Sequence, residues 1–263
     1  MKFLLHLSVS LLVLFNMHAF CQIKGGLQAP IKFGTVTIVF NNTVNKQALV
    51  LNDSTYTNLF GEQYRLSKFK YYISGIRLFN AQKKWIVKQA YYLINQSIDS
   101  SLQLNIALQE NSYDSIAFLL GVDSARNTSG AQRGALDPLN DMFWTWQSGY
   151  IMQKLEGTSP QSSLVNNKIE YHIGGYSGAN SVLKQVVLPF PYSSLLAIKR
   201  GNNSIIHINA DVNHFWSGVV DIKIKDTPVC SAPGLLAKQM AANFSSIFTV
   251  SSIVNIQSQS ANY

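Results

Sequence analysis

Residues able to do chemistry are few, and most are histidine, cysteine or tryptophan. Beyond the N-terminal leader described below, the histidines are His172, His207 and His214, and the one cysteine is Cys230. Three imidazoles and a thiol suffice for a metal site, because ligands converge in space rather than in sequence. His172 stands in Tyr171-His172-Ile173-Gly174-Gly175, at the end of a strand-like run, where the glycine pair lets a ligand approach closely. His207, Asn209 and Asp211 alternate, so on a strand they share one face. That trio could serve a metal, but a polar, solvent-facing strand is the plainer expectation. His214, in Asn213-His214-Phe215-Trp216, reads as turn-adjacent. Trp144 and Trp146 also share a face, and aromatic core packing is their ordinary role. Cys230, without a partner, reads as a small buried hydrophobe.

Enzyme signatures are missing. There is no nucleophile elbow, phosphate-cradling glycine loop, zinc-protease helix or CxxC pair. Only 13 residues are acidic, and none forms an evident acid–base pair, so a non-enzymatic role is expected. The segment from Asp123 to Asp141 is long for a loop. It offers Asp123, Asn127, Asp137 and Asn140 as oxygen groups, for a hard cation or, more simply, for hydrogen bonds that order the loop itself.

The elements that must position these groups read as strands. β-Branched and aromatic residues bounded by Gly, Asn, Asp and Ser recur over 34–40, 69–79 (bent at Ser74-Gly75), 85–94, 112–120, 142–155 (broken at Gly149), 168–173, 182–188, 204–212 and 219–224. Such spacing without intervening helical pattern predicts a mainly β fold, an antiparallel β-sandwich. One short C-terminal helix is expected over 234–248, with Leu235, Leu236, Met240 and Phe244 on one face. No repeat or linker divides the chain, so a single domain over 31–250 is expected, with a frayed tail from Gln257.

The N-terminus reads as an address. Lys2 precedes an apolar run to Phe15 that is too short to stay in a bilayer. Ala19 and Cys21 then stand at the −3 and −1 positions of a signal-peptidase cut before Gln22. Residues 1–21 are therefore read as a signal peptide, and the rest as periplasmic or at the cell surface. The alternative makes Cys21 a lipid-bearing first residue, but bulky Phe20 suits it poorly. No later run has membrane length. A 47% apolar and 13% charged composition matches a well-filled core under an Asn/Ser/Gln-rich surface. The formal charge of +8 is scattered rather than gathered into a nucleic-acid-binding stripe.

Several segments together resemble the MbnP-like family, named for a methanobactin-associated periplasmic protein. They are Tyr71-Tyr72-Ile73-Ser74-Gly75-Ile76, Phe118–Asp123, Arg126-Asn127, Gly134–Pro138, Met142–Tyr150, Lys154–Gly157, Tyr171–Gly175 and Ala241–Phe244 followed by Phe248, spanning about 31–250. The resemblance implies a secreted β-sandwich that binds copper through His and through a kynurenine made from Trp by a dihaem peroxidase-like partner. It carries over His172 as a metal ligand, with Trp85, Trp144 and Trp146 as weaker sites of oxidation or support. Two departures stand out. Val87 occupies the position two after Trp85, and Asn42 lies near the first strand, where relatives carry His. A scaffold module that kept the fold without the metal is the competing expectation.

Overall fold

Alternating apolar and polar residues give each strand a buried and an outward face, and most of the chain obeys that alternation. The computed structural model describes residues 32–80, 84–86, 90–130, 132–145 and 148–256, with 84–86 and 145 described by backbone path alone. All of them belong to a compact unit that begins at Ile31.

The smaller, five-stranded sheet is built on β1 (Phe33–Val44). One edge of β1 pairs antiparallel with β7 (Gln103–Gln109), and the other runs parallel to β15 (Asn203–Asp211). β17 (Phe248–Ile256) then adds antiparallel to β15, and β2 (Gln47–Ala48) closes a hairpin on β1.

The larger, ten-stranded sheet is organised by β4 (Gln63–Phe79). Lys70 faces both β11 (Gly149–Thr158) and β6 (Tyr91–Asn95), so these two strands lie on opposite edges of β4. Ile73 faces β6 and β9 (Ser115–Leu120), which puts β9 after β11 along the same edge. The change of partner falls beside Gly75, whose φ of 55° is in the left-handed region that glycine adopts freely. β5 (Lys84–Ile86) and β3 (Tyr56–Thr57) complete the other edge of β4. Outward from β11 come β12 (Lys168–Gly174) and β16 (Val229–Cys230), the latter parallel to β12. β13 (Lys184–Pro189) borders β9, and β10 (Phe143–Thr145) pairs with the start of β11. A separate pair joins β8 (Asn111–Tyr113) to β14 (Leu196–Ile198).

The inner faces of the two sheets meet through rings. Phe40 of β1 packs edge-on against Tyr71 of β4 and Phe118 of β9, each at 6.1 Å between centroids. Phe248 of β17 contacts Tyr71 and Phe118 at 5.5 and 5.4 Å. Short helices α1 (Ser124–Asn127) and α2 (Asn213–Trp216) precede α3 (Leu235–Ser245), whose Phe244 stacks on Phe69. Rings bury large apolar areas and prefer these edge-to-face geometries.

The mainly β expectation holds, with corrections. Both sheets are mixed rather than antiparallel, because β15 and β16 each enter beside a parallel neighbour. Residues 219–224 form no strand; a single bridge, Ser217 to Asp221, stands there. β7 and β17 are additional strands, and α3 stops at Ser245, before Phe248. The expected 85–94 strand is two, and the leader and the tail from Gln257 lie outside the described residues.

Candidate functional site

His172 is positioned by the register of three strands in the larger sheet. It faces Lys154 of β11, which faces Lys70 of β4 on its other side. One step along, Glu156 faces both Glu170 and Lys68. Alternate residues share a face, so these six side chains form a charged panel on the outward side of the sheet. Their in-between neighbours Phe69, Tyr71, Leu155, Tyr171 and Ile173 fill the core.

Asp141 completes the panel from above. It ends the 123–141 segment with a left-handed φ of 60°, and its carboxylate receives Lys154 Nζ and Lys68 Nζ, each at 2.9 Å. Lys70 Nζ donates to the Asn140 carbonyl at 3.0 Å. Lys154 is 2% exposed, so its ammonium is paid out to Asp141 and, at 3.7 Å, to Glu156. Two cations bridge the loop's carboxylate to Glu156, because Lys68 also reaches Glu156 at 3.2 Å.

His172 Nε2 lies 2.8 Å from Glu156 Oε1, and its Nδ1 lies 3.8 Å from Glu170 Oε1. The bond from His172, against the opposing effect of burial and with help from Lys68 and Lys154, holds the Glu156 carboxyl down at about 2. An ionised carboxylate only accepts, so Nε2 carries the proton of this hydrogen bond. In the neutral imidazole that leaves the Nδ1 lone pair directed to the Glu170 side. A carboxylate that fixes the tautomer of an imidazole in this way is the usual support of a metal-ligating histidine. Burial works against the charge on Asp141, but its bonds from Lys68 and Lys154 prevail and its carboxyl sits at about 2. Desolvation lowers Lys70, while the bond to Asp141 raises Lys68. Glu170 also pairs with Lys168.

Trp144 borders the panel. A Cβ placed on Gly174 would come within 2.3 Å of the indole, so the ring lies directly on that glycine. Gly174 is two residues beyond His172 on the same face of β12, about 7 Å along the strand. The half-buried indole also packs on the core, as aromatic packing requires. The Trp85 side chain and Trp146 lie outside the described residues.

The other histidines stay apart. His207 is on the outward face of the smaller sheet with Asn209 and Asp211, the half-exposed strand expected of them. His214 is an exposed residue of α2, and Cys230 is a free, buried thiol on β16, pushed up by burial. The loop oxygens are used within the fold. Asp123 caps α1 by accepting from the Arg126 amide at 3.0 Å, Asn127 accepts from Tyr150 N at 2.9 Å, and Asp137 accepts from Leu139 N at 2.9 Å. Asn140 donates to the Gly134 carbonyl at 2.8 Å. Among the described residues no group of three or more His, Cys, Asp or Glu is arranged to hold a metal ion. Sequence reading missed the lysines and Asp141. The only available signal was the alternation of Lys68, Lys70, Lys154 and Glu156, which becomes a site only once register is known.

A family model described as MbnP matches residues 33–232. The chain belongs to the MbnP family. A solved structure, MbnP from Methylosinus trichosporium, is similar in fold, with a TM-score of 0.51 at 14% identity over 86% of this chain and 99% of that one. No curated protein matches. This MbnP-family chain shares the fold of that structure.

Proposed function

We propose that this MbnP-family chain is an exported, non-enzymatic copper-handling protein, with His172 as the residue that meets the metal. The observation that carries the reading is the His172 imidazole held at Nε2 by Glu156 and open at Nδ1 toward Glu170. An imidazole nitrogen and a carboxylate oxygen 3.8 Å apart form an N/O pair, which suits Cu(II) better than the thiolate or thioether sets that select Cu(I). Two donors make an incomplete site, and the neighbouring ammonium groups oppose a cation. An ion held here is exchangeable, which fits passing copper on. Trp144, beside the panel, is the described tryptophan placed to be oxidised by a peroxidase-type partner or to support the metal; Trp85 and Trp146 stand behind it as candidates.

Titration of residues 22–263 with Cu(II) and Cu(I) tests this. One Cu(II) is expected, weakened at least tenfold in His172→Ala. Unchanged binding in that variant would falsify the assignment. Intact mass of protein from its own host reads cleavage before Gln22, lipid on Cys21 and oxidation of tryptophan together.

The saturation of Asp141 and Glu156 by Lys68 and Lys154 favours a second reading, a metal-free interaction module on the same fold. It is adopted if no saturable copper binding occurs with or without such a peroxidase.

A further inference from the structure

The outward face of the smaller sheet is the opposite of the charged panel. By register it has rows running across four strands, such as Asn105–Thr37–Ile205–Val254 and Gln103–Val39–His207–Ser252. Across β7, β1, β15 and β17 no outward position carries Lys, Arg or Glu, and the only Asp is Asp211 at one end. Surfaces designed to stay soluble and monomeric carry about 25–35% charged residues, and this chain carries a formal +8. The polar side chains of the face bond one another: Thr37 Oγ1 donates to Asn105 at 2.8 Å, and Asn41 Nδ2 donates to Asn209 at 3.4 Å. Between them lie exposed apolar groups, with Phe33, Val254 and Ile256 at 56%, 40% and 43% exposure.

We infer that this face is where a second copy of the chain docks, sheet against sheet. Charge selects the partner. Nucleic acid and anionic membranes need cations that the face does not have, and a cationic partner needs carboxylates. Two copies of residues 22–263 each carry a formal +7, the +8 less Lys2, and repel, so association is least opposed where charge is absent, and a two-fold interface requires a patch that complements itself. Interface centres are likewise depleted of charged residues. Four strands about 4.8 Å apart and about 30 Å long offer on the order of 500 Å² per copy. The total of about 1,000 Å² is the lower limit for a specific interface, so the dimer is weak and concentration-dependent. Ile205 lies near the centre, half-exposed between Thr37 and Val254.

Sedimentation of residues 22–263 over a concentration series tests this. The mass is expected to rise from monomer to dimer, to stay monomeric in Ile205→Lys and in Ile205→Glu separately, and to double again when the two are mixed. Ile205→Thr, which adds no charge, keeps the dimer, and thermal melts confirm that each variant folds. Three results overturn the inference: a monomer at every concentration, a dimer that survives both charged variants, or a failure of folded Lys and Glu variants to pair. If the wild type is a monomer whose β15 amides lose exchange protection when the chain ends at Ile256, the face belongs to the chain's own tail instead. None of these readouts depends on copper.

Discussion

The two outward faces of this molecule are made from the same kind of strand and reach opposite solutions. On the larger sheet, Lys68, Lys70, Lys154, Glu156, Glu170 and His172 stand side by side, tied together and to Asp141 by polar contacts of 2.8–3.8 Å. On the smaller sheet, Thr37 bonds Asn105 and Asn41 bonds Asn209, and charge is confined to one end. The first face owes its arrangement to electrostatics and to a loop lying on it. The second needs neither, and its sheet is held by ladder bonds and by the rings behind it. Perturbations of charge should therefore register on one face and pass almost unnoticed on the other.

The largest effect is expected at Lys154. Shortening it to Ala takes one of two lysine partners from Asp141 and Glu156 and removes a buried stem, which should cost about 3 kcal/mol in urea unfolding. Lys154→Met keeps the packing, and its loss should be about 1 kcal/mol. Equal losses would mean that the charge, rather than the stem, is what matters there. Next comes Gly174→Ala, whose new methyl meets the Trp144 indole; a loss of roughly 1–3 kcal/mol is expected, together with a changed near-ultraviolet dichroism. Acid provides a third test. Glu156 and Asp141 titrate at about 2 in the fold and near 4 when unfolded. A carboxyl depressed in the fold contributes stability that is complete above its unfolded value and is lost as pH falls through the folded one. The urea midpoint should therefore drop between about pH 5 and pH 2, and Glu156→Gln should flatten part of that fall. The smallest effect belongs to the uncharged face. His207→Ala should shift stability by less than about 0.5 kcal/mol and leave copper binding as it was, a contrast with His172→Ala that a calorimetric titration reads directly.

How much of this could be read from sequence follows the same division. Strands with hard alternation or dense aromatics, such as 69–79 and 168–173, declared themselves, and so did the position of His172 just before a glycine pair. β17 did not: its outward residues include Ser252, Val254 and Ile256, so the contrast between faces that marks a half-buried strand is faint. β7 does alternate, with Gln103, Asn105 and Gln109 outward against buried Leu104, Ile106 and Leu108, and that signal was available in the sequence. The parallel entries of β15 and β16 depend on which distant segments pair, and periodicity carries no information about that. The panel was hidden for a related reason. Lys68 and Glu156 are unremarkable apart from each other, and only the register of β4, β11 and β12 turns three alternating segments into one network. Asp141 was visible as the end of a long loop, but its role required knowing which face the loop covers.

The parallel ladder between β1 and β15 bears on how the chain comes to be folded at all. Thr35 is matched with Asn203, so the central strand of the smaller sheet waits for a partner synthesised long after it. A chain made from its N-terminus presents β1 with one edge open until residues 203–211, in its last quarter, have been made. Distant pairings of this kind slow folding and lengthen the exposure of sticky edges. Such a protein should depend on a holding chaperone while it folds. A truncation before residue 203 should leave a species that is degraded rather than a smaller stable core.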